Sequence, residues 1–241
     1  MQTMRLTDDM VSVLVQAGYS FPGKKSKPKI NNVTLDSRFT DGELVELYQT
    51  LDRLEQDPKW VLRCMLVRFA LGTGLRESEI TRVRFSVSPE NDKEAEAHYN
   101  GVITVRNGKG GKSRDACCIP ELLPHYQAFI DEQRVRAIKD GAALDGILPL
   151  FGKQYERTTM WRWWGQVLNE CPDTVRRLRF HDLRHTWGSW EALRVPLSTL
   201  KGLGGWSKSS DTFESRYNGV IAELAYGGQI KWRKVALGRF V

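Results

Sequence analysis

Four short segments of the sequence carry side chains that could hold and attack a phosphate group. The first, residues 72–80, places Arg76 after a Gly-Thr-Gly break, where free backbone N–H groups and a guanidinium can meet an anion. The second is a glycine-rich turn that carries Lys109 and Lys112, with Arg114 behind it, and such a cationic hairpin tip can enter a DNA groove. Taken singly, each segment also fits an ordinary turn with surface charge.

The other two segments supply a proton-transfer group and a nucleophile. His181 and Arg184 are three positions apart, so on a helix they share a face and set an imidazole beside a bidentate phosphate donor. Downstream, Trp206 follows two glycines and offers an indole N–H, and Tyr217 follows an arginine. A Tyr attacks poorly at neutral pH unless cations and a base prepare it. A single His or Tyr is more often a packing residue, so the combination carries the argument.

Composition limits the partner and the compartment. The chain has 241 residues, 41% of them hydrophobic, which suffices for one core and a short appendage. A net charge of +7 and a pI near 9.3 favour a polyanion partner, although a basic protein without such a partner has the same composition. The cysteines have no metal-ligand or disulfide spacing, and no apolar run approaches a membrane span. We expect a soluble, intracellular protein without metal or cofactor.

The elements that must position these residues are mostly helices. Thr40 and Glu43 form a capping-box pattern, and Asp57 followed by Pro58 predicts the start of a second, apolar helix that the first glycine break ends. The hydrophobic pattern and turn residues predict a mainly α fold with a small antiparallel β-sheet, an α+β domain. Further helices are predicted near 122–130, 160–168, 181–193, 197–202 and 211–217, and hairpin strands over 102–105 and 116–119.

Together these segments resemble the tyrosine recombinase, or phage integrase, family over roughly residues 39–225. Gly-Thr-Gly-Leu-Arg-Glu-Ser-Glu-Ile looks like the first arginine box of the family and His-Asp-Leu-Arg-His-Thr like its second. Leu-Gly-Gly-Trp, followed by Arg-Tyr, looks like the integrase ending. The resemblance implies the catalytic-domain fold of that family. It also implies a site-specific recombinase that cleaves and rejoins DNA through a covalent 3′-phosphotyrosine and a Holliday junction, without metal or ATP.

The resemblance assigns the main catalytic roles residue by residue. Arg76 and Arg184 would clamp the scissile phosphate, and Tyr217 would be the nucleophile. Lys109 would be the general acid for the leaving 5′ oxygen. Tyr226 is the rival nucleophile, but its Ala-Tyr-Gly-Gly context matches the family less well than Arg-Tyr does.

Further residues take supporting roles in the same resemblance. His181 would assist proton transfer or hold the phosphate. Trp206 stands where many members have a second His and would donate to a phosphate oxygen, although the stretch from Trp206 to Tyr217 is slightly longer than usual. Glu79 would support the site by orienting His181. The candidate DNA contacts are Arg82, Arg84, Lys112 and Arg114.

The resemblance also sets expectations for domains and partners. Residues 1–38 would be an N-terminal extension or linker, the remnant of a core-binding domain, and 39–225 the catalytic domain. The tail, 226–241, either folds onto its own core or is exchanged between protomers. The partners would be double-stranded DNA with specific core sites and further copies of the chain, as a tetramer on DNA and a monomer or weak oligomer when free. No membrane partner is expected, and the location would be the nucleoid-associated cytoplasm of a bacterial or phage-infected host.

Two other functions fit the same residues. A type IB topoisomerase shares the Arg-Lys-Arg-His-Tyr chemistry and relaxes supercoils without a partner site. A DNA-binding regulator could keep the fold and lose catalysis, but the intact set of candidate catalytic residues argues against it.

Overall fold

The computed structural model describes residues 37–106, 108, 111, 113–151 and 157–206, all of which belong to one compact unit. The predicted helix near 211–217, the tail and nearly all of the proposed linker lie outside these residues, so the domain boundaries stay predictions. The described helices are α1 (Asp41–Leu54), α2 (Pro58–Thr73), α3 (Glu77–Ile80), α4 (Leu123–Lys139), α5 (Arg157–Glu170), α6 (Phe180–Glu191) and α7 (Leu197–Gly204). The described strands are β1 (Arg84–Ser86), β2 (Val102–Val105), β3 (Arg114–Cys117) and β4 (Ile147–Pro149), with a 3₁₀ helix at Pro89–Glu94.

Local capping explains where the first two helices begin. The Thr40 hydroxyl accepts from the Glu43 N–H, and the Glu43 carboxylate accepts from the Thr40 N–H at 2.6 Å, so the predicted capping box is confirmed. Asp57 caps α2, and Pro58 occupies its first position as predicted. From Cys64 onward every residue of α2 is buried, which makes it the central helix.

Among the described residues the β structure consists of two antiparallel pairs, β1 with β4 and β2 with β3. The second strand of the hairpin begins at Arg114 and ends at Cys117, two residues earlier than the predicted 116–119. The hydrophobic pattern did not predict this start, because residues 114 and 115 are polar. The register of the strand is set by its pairing with β2 and not by local hydrophobicity. β1 and β4 were not predicted, because three residues are too few for an alternating pattern.

The core surrounds α2, which contacts α1, α4, α5 and α6. Aromatic rings fill the spaces between these helices; for example, Phe69 stacks on Tyr126 and meets Phe151 edge-on. Helix α7 contacts both α6 and β3. This packing brings the C-terminal end of α7 to the hairpin and to the helix that carries the second arginine box. No helix within the described ranges is both long and apolar enough to cross a bilayer.

Candidate active site

The first arginine box is held by a helix end and a single-turn helix. Gly74 ends α2 in the left-handed conformation (φ 60°), and a Cβ there would lie 2.0 Å from a ring atom of Trp187, so both conformation and space require glycine. Arg76 precedes α3, and its backbone N–H donates to Glu79 at 2.8 Å. Its guanidinium donates to the other oxygen of the same carboxylate at 2.8 Å. The two contacts fix the direction of the Arg76 side chain.

The second arginine box lies at the start of α6. Asp182 closes the first turn by accepting from the Arg179 backbone and side chain, which sets where the helix begins. Arg184 is only 4% exposed, and its guanidinium donates to the Gly74 carbonyl and, at 2.6 Å, to the Gly204 carbonyl. The buried guanidinium thereby connects the ends of α2 and α7.

The C-terminus of α7 receives three guanidinium groups on consecutive carbonyl oxygens. These are contacts from Arg114 Nε to Leu203 (2.9 Å), from Arg184 Nη2 to Gly204 (2.6 Å) and from Arg76 Nη2 to Gly205 (3.1 Å). The last carbonyls of a helix lack intrahelical partners and lie at the negative end of its dipole. They are therefore suited to accept hydrogen bonds from cations, and here they accept them from arginines of three segments that are distant in sequence.

Trp206 lies directly after this helix end and covers a guanidinium. Its ring stacks on Trp187 with centroids 6.3 Å apart, and the Arg184 guanidinium carbon lies 4.4 Å from the Trp206 ring centroid. A Cβ at Gly204 would lie 1.7 Å from this ring, and Gly205 has φ 67°. The Gly-Gly-Trp sequence is thus explained by packing and backbone conformation. Donation of the indole N–H to a phosphate stays a prediction.

Glu79 is the acidic centre of the site. Its two oxygens accept from both terminal nitrogens of Arg114 at 2.8 Å each, in addition to the contacts from Arg76. Burial of the carboxyl works against ionisation, but the hydrogen bonds and charges of Arg114 and Arg76 outweigh it and lower the pKa of Glu79 to about 2. The carboxylate is therefore ionised throughout the neutral range.

The structure adds contacts for two residues whose predicted roles stay predictions. Within the described residues the Glu79 carboxylate accepts hydrogen bonds from Arg76 and Arg114, so it orients these two arginines, and orientation of His181 by Glu79 stays a prediction. The side chain of Arg114 is 12% exposed and its nitrogens donate to Glu79 and Leu203, and its contact with DNA stays a prediction. The pairing of Glu79 with Arg114 could not be predicted from sequence spacing, because the two residues are 35 positions apart.

His181 lies on α6 close to a second imidazole. It is partly buried, and its ring meets that of His185 edge-on with centroids 4.8 Å apart. Burial, and then the positive charge of Arg184, lower the pKa of His181 below its ordinary value. Both effects favour the neutral imidazole, which is the form that accepts a proton.

Arg82 and Arg84 lie on an exposed groove of about 320 Å³ beside the site. Arg106, which sequence analysis did not single out, shares the groove, and Glu96 accepts from Arg84 at 2.9 Å and pairs with Arg106 at 3.5 Å. Arg82 and Arg84 thus keep a position from which DNA could be contacted.

Some of the predicted site residues, namely Lys109, Lys112, Tyr217 and Tyr226, lie outside the described residues. The structure therefore brings together Arg76, Glu79, Arg184 and Trp206, with His181 on the same helix as Arg184.

Comparisons with known proteins agree with this arrangement. The family model described as the phage integrase family matches residues 37–223. The integrase of Salmonella phage P22 is 28% identical over 144 residues, which are 58% of this chain and 35% of that protein. The chain thus spans about a third of the length of this curated relative.

Solved structures with a similar fold include two recombinases. The XerH site-specific recombinase, bound to palindromic difH substrate in a post-cleavage complex, has a TM-score of 0.58 at 19% identity, over 83% of this chain and 54% of that one. The XerA recombinase has a TM-score of 0.56 at 16% identity, over 79% of this chain and 64% of that one. At these identities the likeness concerns the fold, and it confirms the mainly α architecture with a small antiparallel sheet.

Proposed function

The chain belongs to the phage integrase family, and from this premise we propose that it is the catalytic part of a site-specific DNA recombinase. It would cleave and rejoin DNA strands through a covalent 3′-phosphotyrosine on Tyr217 and a Holliday junction, without metal or ATP. Because the chain spans only part of its relatives, the activity of the whole protein, its core sites and its tetrameric assembly on DNA belong to the proposal. Its location in the cytoplasm of a bacterial or phage-infected host is also part of the proposal.

One observation carries the proposal, namely the convergence of Arg76 and Arg184 on adjacent carbonyls. Arg76 donates to Gly205, 129 positions away, and Arg184 to Gly204. A guanidinium carries five N–H donors in a planar fork that matches phosphate oxygens. Attack on a phosphodiester increases the negative charge of its nonbridging oxygens, and two preorganised guanidinium groups stabilise that charge.

The proposed cleavage is a transesterification. The Tyr217 oxygen forms a bond to phosphorus while the bond from phosphorus to the 5′ oxygen breaks. The leaving oxygen takes a proton from the Lys109 ammonium, and the Tyr217 hydroxyl proton passes to a base, for which the neutral His181 is suited. The energy of the broken ester is kept in the phosphotyrosine, so the reverse reaction rejoins the strand without a nucleotide.

The test is covalent capture on DNA. The 241-residue chain is incubated with nicked suicide duplexes whose central region is randomised, and complexes that resist denaturant are recovered and sequenced. We expect the wild type and Tyr226→Phe to yield covalent complexes, with EDTA present and ATP absent, and Tyr217→Phe to yield none. If no duplex is captured by the wild type, or if Tyr217→Phe still captures DNA, the proposal is refuted.

A second assay separates recombination from relaxation. Two labelled duplexes that carry the recovered sequence are mixed with the protein, and a supercoiled plasmid with one copy is treated in parallel. A recombinase produces strands joined between the two duplexes. Relaxed plasmid without such joint strands would instead identify a type IB topoisomerase.

A further inference from the structure

The base of the β2–β3 hairpin is tied to the first arginine box by a single side chain. Arg114 is the first residue of β3, and it pairs with Val105, the last residue of β2, where the tip of the hairpin begins. From this position its guanidinium makes two parallel hydrogen bonds to Glu79, each 2.8 Å long, and a third of 2.9 Å to the Leu203 carbonyl. Bidentate arginine–carboxylate pairs of this kind fix direction as well as distance.

The same carboxylate also holds a residue of the proposed phosphate clamp. Glu79 accepts from the Arg76 backbone and guanidinium at 2.8 Å each, so one buried anion joins the hairpin to that clamp. The side chains of Arg114 and Glu79 are only 12% and 6% exposed, which shields their interaction from salt and water. The hairpin base and Arg76 are thereby fixed relative to each other.

We propose that Arg114 is a positioning residue, which holds the hairpin base so that Lys109 can protonate the leaving oxygen. The inference rests on the proposed function. Lys109 comes four positions after Val105 and five before Arg114. Val105 and Arg114 are therefore the two ends of the loop that carries Lys109, and the contacts of Arg114 fix this loop base relative to Arg76. A fixed base reduces the number of conformations from which a general acid on the loop must reach the reacting bond, which raises its effective concentration.

A sulfur substitution in the DNA isolates the step that Arg114 is proposed to assist. The duplex most often recovered by covalent capture is prepared in two forms, one with the natural 5′ bridging oxygen at the cleaved bond and one with sulfur in its place. A thiol has a pKa of roughly 8.5, so a thiolate leaves without a proton donor. A variant that is impaired only in proton donation is slow on the oxygen substrate and recovers on the sulfur substrate.

The expected pattern distinguishes positioning from a general loss of structure. We expect Arg114→Gln to slow covalent-complex formation on the oxygen substrate about ten- to a hundredfold, within the range that proton transfer contributes, and to restore it to within about threefold of wild type on sulfur. Lys109→Ala is slowed more strongly on the oxygen substrate and also recovers on the sulfur substrate. The rate of Arg114→Lys on the oxygen substrate lies between those of wild type and Arg114→Gln. Arg76→Gln stays slow on both substrates. Arg136→Gln, which removes an exposed helix-surface pair with Glu132, matches wild type on both.

Three results would overturn the inference. Arg114→Gln could be equally slow on oxygen and sulfur, or it could be as fast as wild type on oxygen. Lys109→Ala could fail to recover on sulfur, which would place the proton donor elsewhere. Circular dichroism melting identifies a misfolded Arg114→Gln, in which case Arg114→Lys is compared on the two substrates instead. In each of these cases the proposed function remains supported if wild type captures DNA covalently and Tyr217→Phe does not.

Discussion

Replacement of Glu79 by Gln tests whether a buried anion organises the site. The contacts with Arg114 and Arg76 lower the pKa of this carboxyl from 4.5 to about 2, against the effect of burial. A shift of this size corresponds to about 3 kcal/mol of differential stabilisation of the ionised form. Because the folded-state pKa is lower than the unfolded one, this stabilisation is complete above pH 4.5 and is lost as the pH falls towards 2.

The assay is urea unfolding at a series of pH values from 7 to 3, followed by circular dichroism. We expect the wild type to lose free energy of unfolding steeply below pH 4.5, and Glu79→Gln to start about 3 kcal/mol lower at pH 7 and to fall less steeply. Glu43, whose pKa is about 2 because contacts with Arg176 and Thr40 outweigh its burial, adds a second contribution that both proteins share. Glu132→Gln, at an exposed helix-surface pair, is the matched control. If Glu79→Gln parallels the wild type over the whole range, Glu79 is not the anion that the arginines stabilise.

Three further outcomes are expected. Gly204→Ala should lower the free energy of unfolding by about 1–3 kcal/mol, because the new methyl group meets the Trp206 ring, whereas Gly202→Ala, with open space around it, should not; urea unfolding compares them. Arg184→Lys should reduce covalent-complex formation on the order of 10²–10³-fold, because one ammonium cannot reproduce the fork that spans two carbonyls, and recovery of wild-type capture would contradict this. The imidazole of His181 should titrate below pH 6.5 in an NMR pH series, since burial and then Arg184 disfavour its charged form; a midpoint above 6.5 would exclude the described environment. The same pKa shift should lower the free energy of unfolding as the pH falls below 6.5, because the unfolded chain then binds more protons than the folded chain.

The stops and starts of the helices were accessible from the sequence because they depend on neighbouring residues. A capping box, a proline at the first position and a glycine in left-handed conformation act over a single turn, so Thr40, Pro58 and Gly74 could be interpreted from their neighbours. The two arginine boxes were recognised for a related reason, since each is a continuous string of residues. Their chemistry follows from residue type, which no fold alters.

The partners of those residues could not be predicted from the sequence. Glu79 was expected to orient His181, and the structure adds its pairing with Arg114, which exists only because β3 is placed beside α3 and the end of α7. Similarly, Trp206 was expected to act through its indole N–H, and the structure adds that its ring face covers Arg184. Contacts of this kind depend on the packing of segments that are distant in sequence.

The chemical groups and the local elements that carry them could thus be predicted from the order of the residues: guanidinium groups, an imidazole, a Trp and the helices that begin and end around them. The contacts of three arginines with consecutive carbonyls at the end of α7, and of the Glu79 carboxylate with two of these arginines, depend on how the folded chain packs. The two kinds of feature differ in the range of the interactions involved. Helix capping involves residues within one turn of each other, whereas burying charged groups requires partners that the folded core alone brings within hydrogen-bonding distance.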